Sequence, residues 1–534
     1  MLNMKLTGIA PEIETYINEL EKQLQEQDKS LETMQLRINQ LMEQLAKAQR
    51  SLYGQSSEKS KYVLNDSYMD NLFNEAEFEA QSHAPEPRPT TVTSHTRKPK
   101  RTKEELAAQL PVTEVICELA QEDQVCDECN SNMRALGRET VREEIEFIPA
   151  QVRLLRYIRL NFVCENCEKE TGEATIKKAL VPAPVIKKSM ASPSAVAHVL
   201  YQKYVNAMPL YRQEKDWANQ GVDISRATLA NWIIAVAFTW LILLWDEMKS
   251  CLLTQEIILA DETVVQVLKE EGRKPTTDSR MWVYCSGVAS ITPIVLYEYQ
   301  TTRSGDHARR FLEGFSGYLH TDGYAGYDRV PGVTRCGCWN HLRSKYRDCI
   351  PKTKNEALNK DSPAYIGFDF CNQLFDLERE FKEMTADERL KERQIRSKKV
   401  LDDYLAWLDT TNPLQGAKLG EAITYSRNQQ IPLSRFLEDG CIELSTNRVE
   451  NHIRPFVIGR KNWLFADTSK GAKASAIAYS IVETAKANNL NVYQYLVYIF
   501  STMPSLDLKR DPSLIENLLP WSPNLPDSCR KQKH

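Results

Sequence analysis

The chain has 534 residues, of which 42% are hydrophobic and 26% charged, with a formal net charge of −4. That length exceeds one hydrophobic core, so three or four domains are expected at roughly 150 residues each. The near-neutral balance excludes a global basic field, so any nucleic-acid contact must come from local patches. Thirteen cysteines, mostly scattered, point to a reducing compartment with a metal site rather than a disulfide scaffold.

The N-terminus has no apolar run of signal-peptide length, so secretion is not expected. From Ile17 the apolar positions step by three and four through Leu20, Leu24, Leu31, Met34, Ile38, Leu41 and Leu45, with Gln27 breaking one seam position. This pattern predicts a coiled coil over 1–60 that pairs chains into a homodimer or higher homo-oligomer, because no nearby globular segment could cover so straight a seam. Residues 61–112, with "HAPEPRPTTVTSHTRKPKRTK" inside, read as a basic, largely disordered linker.

Cys126 and Cys129 in "CDEC" and Cys164 and Cys167 in "CENC" form two C-x-x-C knuckles. Each sets two thiolates on a tight turn, and together they complete a tetrahedral shell for one structural Zn²⁺, leaving no open position for water. Strand-like alternation between the knuckles predicts a zinc ribbon over 113–180. Its Arg153, Arg156 and Arg159 offer a candidate DNA-contact surface.

In residues 181–250, "LYRQEKDWANQ" ends at Gly221 and Ser225 caps "RATLANWIIAV", the stop and start signals of two helices around a turn. A helix-turn-helix-like unit would expose Arg226, Thr228 and Asn231 to a DNA groove; an ordinary helical hairpin carries the same signals. The apolar stretch at 229–245 is just short of a bilayer span and holds Asn231 and Thr239, so a helix buried in protein is expected and no membrane partner.

"EIILADETVVQVLK" reads as a buried strand bearing Asp261, which is costly there unless paired or bound to metal. "RMWVYCSGVASITPIVLYEYQ" predicts two more strands, and "SGYLHTDGYAGYD" a fourth that ends at Asp322. "STNRVENHIRP" predicts a short helix capped by Ser445 or Thr446 and stopped by Pro455, with Asn447, Glu450, Asn451 and Arg454 on one polar face. Between Asp322 and Glu450, residues 345–443 read as an all-helical insertion in a domain over 251–500. His341, Arg343 and Lys345 stand at its entrance. Cys336, Cys338 and His341 have ligand chemistry, but no fourth ligand lies nearby in sequence, so no second zinc is expected. Downstream, Arg460, Lys461 and Trp463 combine charge with a ring that could stack on a base, and 501–534 reads as a tail ending in a disordered "WSPNLPDSCRKQKH".

Three carboxylates suffice to hold the two divalent cations, roughly 3.5–4 Å apart, that phosphodiester chemistry uses. The phrases "LYGQSSEKS", "PLYRQEKDWANQGVDISRATLANW", "LADET", "HTDGYAGYD", "GCWNHLRSKY" and "NRVENHIRPFVIGRKNWLFADTSKGAKASAIAYSIVETAKANNL", with the four-cysteine module, make the chain resemble the insertion-sequence-66 family of bacterial DDE transposases almost end to end. The resemblance implies a multidomain α+β protein with an RNase H-like mixed α/β catalytic core, Asp261, Asp322 and Glu450 on the catalytic positions, and two catalytic Mg²⁺ for which Mn²⁺ can substitute. It implies a DNA transposase of the bacterial cytoplasm, nucleoid-associated, that binds element ends, cleaves phosphodiester bonds and transfers the 3′-OH strand to target DNA, with accessory proteins of the same element as further partners. Arg343, Lys345, Arg454, Arg460 and Lys461 join Arg226, Thr228 and Asn231 as expected DNA contacts. A catalytically inactive DNA-binding regulator, or an RNase H-like nuclease without strand transfer, would carry the same phrases.

Overall fold

A computed structural model describes residues 152–163, 176–351, 358–413 and 418–531. The expected coiled coil, the linker and the four knuckle cysteines lie outside these residues. Two short strands, β1 (Asn161–Val163) and β2 (Ile176–Lys178), pair antiparallel with Asn161 opposite Lys178. Arg153, Arg156 and Arg159 lie in the exposed stretch before β1.

Helix α1 (Pro193–Tyr204) starts at Ser192, and α2 (Leu210–Asn219) runs out at Gly221, whose φ of +81° is a conformation that favours glycine. Ser225 Oγ accepts from the Thr228 N–H at 3.2 Å and begins α3 (Arg226–Val236). The helix continues through a π turn at Ala237–Leu241 into α4 (Ile242–Leu253). This 28-residue segment is long and apolar enough to cross a membrane by length and composition. Its Leu229, Trp232, Ile233, Val236, Leu241, Leu244, Met248 and Leu252 are nevertheless buried in the protein, and Trp245 Nε1 donates to the Tyr297 carbonyl at 3.3 Å. One side of the segment is therefore packed into the protein, whereas Asn231 and Thr239 are exposed.

The main sheet is mixed. Its order is β5-β4-β3-β6-β7, built from β3 (Ile257–Lys269), β4 (Asp278–Ser286), β5 (Val295–Gln300), β6 (Tyr318–Thr321) and β7 (Thr334–Gly337). β3, β4 and β5 form an antiparallel meander, whereas β6 runs parallel to β3 and β7 parallel to β6. Ile257, Ile258, Leu259 and Ala260 are all buried, the continuous apolar run expected of a strand covered on both faces. Helix α5 (Gly305–Phe311) lies in the crossover from β5 to β6.

Past β7 the described chain is helical: α6 (Trp339–Cys349), α7 (Pro363–Glu380), α8 (Ala386–Glu392), α9 (Lys398–Thr410), α10 (Lys418–Asn428) and α11 (Gln430–Ser434). Tyr346, Tyr404 and Ser426 join hydroxyls at its centre, with Tyr404 donating to Ser426 at 2.6 Å. Helix α12 (Asn447–Trp463) is longer than the sequence suggested, because Pro455 sits inside it. The proline forfeits one backbone donor, but buried Ile453, Phe456 and Val457 hold the turn against the sheet. After β8 (Ala466–Thr468), α13 (Ser469–Ala487) lies against β5, where Thr484 Oγ1 and Ser480 Oγ accept from the N–H groups of Val295 and Tyr297 at 3.0 and 2.8 Å. The row of donors on that edge strand is thereby covered.

The C-terminal segment corrects the expectation of a disordered end. Beyond α14 (Val492–Thr502), Ile515, Leu518, Leu519, Leu525 and Cys529 are buried. The Asn491 N–H donates to the Cys529 carbonyl at 2.8 Å, and the Tyr495 hydroxyl to the Leu518 carbonyl at 2.7 Å. Ile515, Leu518 and Leu519 keep a helical spacing within and just past a short 3-10 helix (Pro512–Leu518), whereas Leu525 and Cys529 stand apart among prolines.

Candidate active site

β3 and β6 pair in parallel register with Leu259 opposite His320. Asp261 and Asp322 each lie two residues further on, so the register brings them to neighbouring positions on strands about 4.8 Å apart. Asp261 Oδ1 accepts from the Glu262 N–H at 2.8 Å, and Asp322 Oδ1 from the Tyr324 N–H at 2.9 Å. Between them in sequence, Gly323 has a structural reason: a Cβ there would come within 2.3 Å of the Tyr425 ring, which the helical insertion lays over the strand end.

Glu450 arrives on the first turn of α12. The N-termini of α6 and α12 are joined by the Trp339 N–H donating to the Leu444 carbonyl at 3.1 Å and Asn340 Nδ2 to Asn447 Oδ1 at 2.9 Å. Cys338 Sγ accepts from the Thr446 N–H at 3.2 Å, and Thr446 Oγ1 lies 3.2 Å from both Cys338 Sγ and Glu450 Oε1. His341 Nδ1 is 3.8 Å from Glu450 Oε1.

Burial, then the charges of Glu262 and Asp322, push the Asp261 carboxyl well above its usual range. Burial opposes a charge on His341, but the Cys338 sulfur beside it, with Glu450 and Asp261, pushes the imidazole up to about 10. His341 thus interacts with both Glu450 and Asp261, and Asp261 with Asp322. Glu262, raised by burial, pairs with Arg303 and accepts from the Tyr327 hydroxyl at 2.8 Å. Arg303 also stands 3.8 Å from Asp322. Asp261 and Glu262, both held toward the protonated form by burial and by neighbouring acids, are countered by one guanidinium and one imidazole, a donor set short of positive charge. Oxygen ligands of this kind fit Mg²⁺.

The expected DNA-contact residues divide. Arg226, Thr228 and Asn231 are all exposed on α3, as are Lys345 on α6 and Arg454 on α12. Arg343 instead donates from Nε to Asn372 Oδ1 at 2.7 Å and packs on Phe368, and Arg460 donates to the Val264 carbonyl, tying α12 to β3. Lys461 is half-buried. Sequence reading missed Glu262, Arg303 and Tyr327, and named Thr446 only as a helix cap. Glu262 and Tyr327 stood inside the recognised phrases "LADET" and "HTDGYAGYD", whereas Arg303 lay outside any of them. Of the three residues with ligand chemistry near α6, Cys338 and His341 are joined by Glu450 from far along the chain, and Cys336 is not part of that group.

The sequence profile described as "Transposase IS66 family" matches residues 188–474. Others match 123–168, spanning all four knuckle cysteines ("zinc-finger binding domain of transposase IS66"), 40–115 ("Transposase C of IS166 homeodomain") and 480–521 ("IS66 C-terminal element"). The uncharacterized protein y4jD of Sinorhizobium fredii is 30% identical over 435 residues, covering 78% of this chain and 81% of that protein. The uncharacterized protein y4qI of the same organism is 28% identical, covering 91% and 89%. Among solved structures, the Drosophila P element transposase strand transfer complex aligns with 62% of this chain and 94% of its own at 11% identity and a TM-score of 0.22, too low to bear on the fold.

Proposed function

The chain belongs to the IS66 transposase family, and on that premise we propose that it binds the ends of a mobile DNA element, cleaves phosphodiester bonds there and joins the freed 3′-OH strand to target DNA. The reading is supported by the β3–β6 register, which sets Asp261 beside Asp322, and by His341, which interacts with both Asp261 and Glu450. Two Mg²⁺, or Mn²⁺ in their place, would be held by these three residues and would activate the attacking oxygen and stabilise the leaving one. Arg303 pairs with Glu262 and stands beside Asp322, and Thr446 Oγ1 donates toward the Glu450 carboxylate, contacts that would hold these acids in place. An antiparallel meander followed by a parallel strand ending at the second aspartate supports an RNase H-like core over 251–500, with a helical insertion at about 345–443.

The zinc-finger match supports a structural zinc. Cys126, Cys129, Cys164 and Cys167 are its proposed ligands, the second knuckle lying between β1 and β2 in sequence. Arg226, Thr228 and Asn231 are the proposed groove contacts, with Lys345 and Arg454 on the phosphate backbone. Pairing of chains through 1–60, accessory proteins of the same element and residence in the bacterial cytoplasm complete the proposal.

Asp261→Asn tests it, because the change removes a charge while keeping shape. The variant should bind an element-end duplex as the parent does and cleave it slower by a factor on the order of 100 or more. Cleavage at the parental rate would overturn the assignment.

A further inference from the structure

Cys338 at the start of α6, His341 in its first turn and Glu450 in the first turn of α12 bring a sulfur, a ring nitrogen and a carboxylate oxygen within 4.8 Å of one another. Around a tetrahedral zinc such atoms sit at about 2.0–2.3 Å from the metal, and so about 3.3–3.7 Å apart. The His341–Glu450 pair, at 3.8 Å, is already close to that spacing. Cys338 is fully buried, and His341 Nδ1 is buried without a hydrogen bond of normal geometry. Thr446, 3.2 Å from both the sulfur and the carboxylate, keeps these two facing each other. Mg²⁺ takes oxygen ligands, whereas a sulfur, nitrogen and oxygen set selects softer ions.

We propose that Cys338, His341 and Glu450 form a binding site for a thiophilic divalent cation of the zinc class, and that filling it withdraws Glu450 from the Mg²⁺ centre, so that zinc inhibits DNA cleavage. The inhibitory half rests on the catalytic role proposed for Glu450. The binding half rests on the ligand geometry alone.

Cobalt separates the two. Full-length protein with zinc already filling its N-terminal cysteines is titrated with Co²⁺ while thiolate-to-cobalt charge-transfer absorption is recorded. The parent should gain a band that saturates near about one added equivalent, and Cys338→Ser should not. His341→Gln, which keeps the sulfur, should show the band with affinity weakened roughly tenfold or more. No added band in the parent, or an equal band in Cys338→Ser, overturns the site. If Cys338→Ser proves unfolded by circular dichroism, undiminished cobalt affinity in His341→Gln overturns it instead.

Cleavage of an element-end duplex in Mg²⁺ is then compared with and without zinc, as a ratio within each protein. The ratio should fall at least about tenfold in the parent and move toward one in Cys338→Ser. A cobalt band with zinc-insensitive cleavage overturns the inhibition. Absence of any Mg²⁺-dependent cleavage by the parent counts against the catalytic reading and leaves the site standing.

Discussion

Glu298 on β5 shows how one side chain sets a pH dependence. Its Oε1 accepts from Gln300 Nε2 at 2.9 Å, while Oε2 is buried without a partner, and burial pushes the carboxyl up to about 7 from 4.5. The folded state thus keeps a proton that the unfolded chain releases from pH 4.5 upward, and the protein loses stability as the pH rises to about 7. Glu298→Gln retains the bond to Gln300 and removes the buried charge. Denaturant midpoints should therefore favour the variant by about 1–3 kcal/mol above pH 7, with the gain shrinking toward pH 4.5; a difference independent of pH would contradict this. At this scale sequence was informative where a residue's neighbours in the chain announce its setting. Asp261 in an apolar run had to be paired or bound to a cation. Arg303, the Cys338 contact of Thr446 and the second role of His341 depend on partners from remote segments, and no local pattern carries that information.

Arg393 organises the helical insertion. Only 1% exposed, it grips both oxygens of Glu378 at 2.7 and 2.8 Å and donates to the carbonyls of Phe436, Asp439 and Ile442 at 2.9 Å each. Arg393→Met strands a carboxylate and three carbonyls in the interior and should cost about 3–5 kcal/mol in urea unfolding. A loss below about 0.5 kcal/mol would mean that the insertion is held by its aromatic core alone. Elements with strong punctuation were legible: Gly221 and Ser225 mark the turn between α2 and α3, and the regular elements described between β7 and α12 are helices. Pro455 misled, because tertiary packing carries α12 past it. The strands β7 and β8, of four and three residues, are too short for a period to register.

Across the whole molecule, the candidate site exists because two chain-distant junctions close on each other. The β3–β6 register aligns the aspartates, and the joined N-termini of α6 and α12 deliver the glutamate. The meander and the strand bearing Asp322 could be read from alternation and turn residues. The register between parallel strands could not, since a crossover leaves no trace in local sequence. Nor could the docking of the C-terminal segment beside α14. The central proposal is that three carboxylates make one cation centre. Its most direct test is Mn²⁺ binding, followed by electron paramagnetic resonance, to the protein in complex with an element-end duplex. Asp261→Asn, Asp322→Asn and Glu450→Gln should each weaken that binding by roughly tenfold or more. Parental affinity in Glu450→Gln while both aspartate variants lose the ion would contradict it.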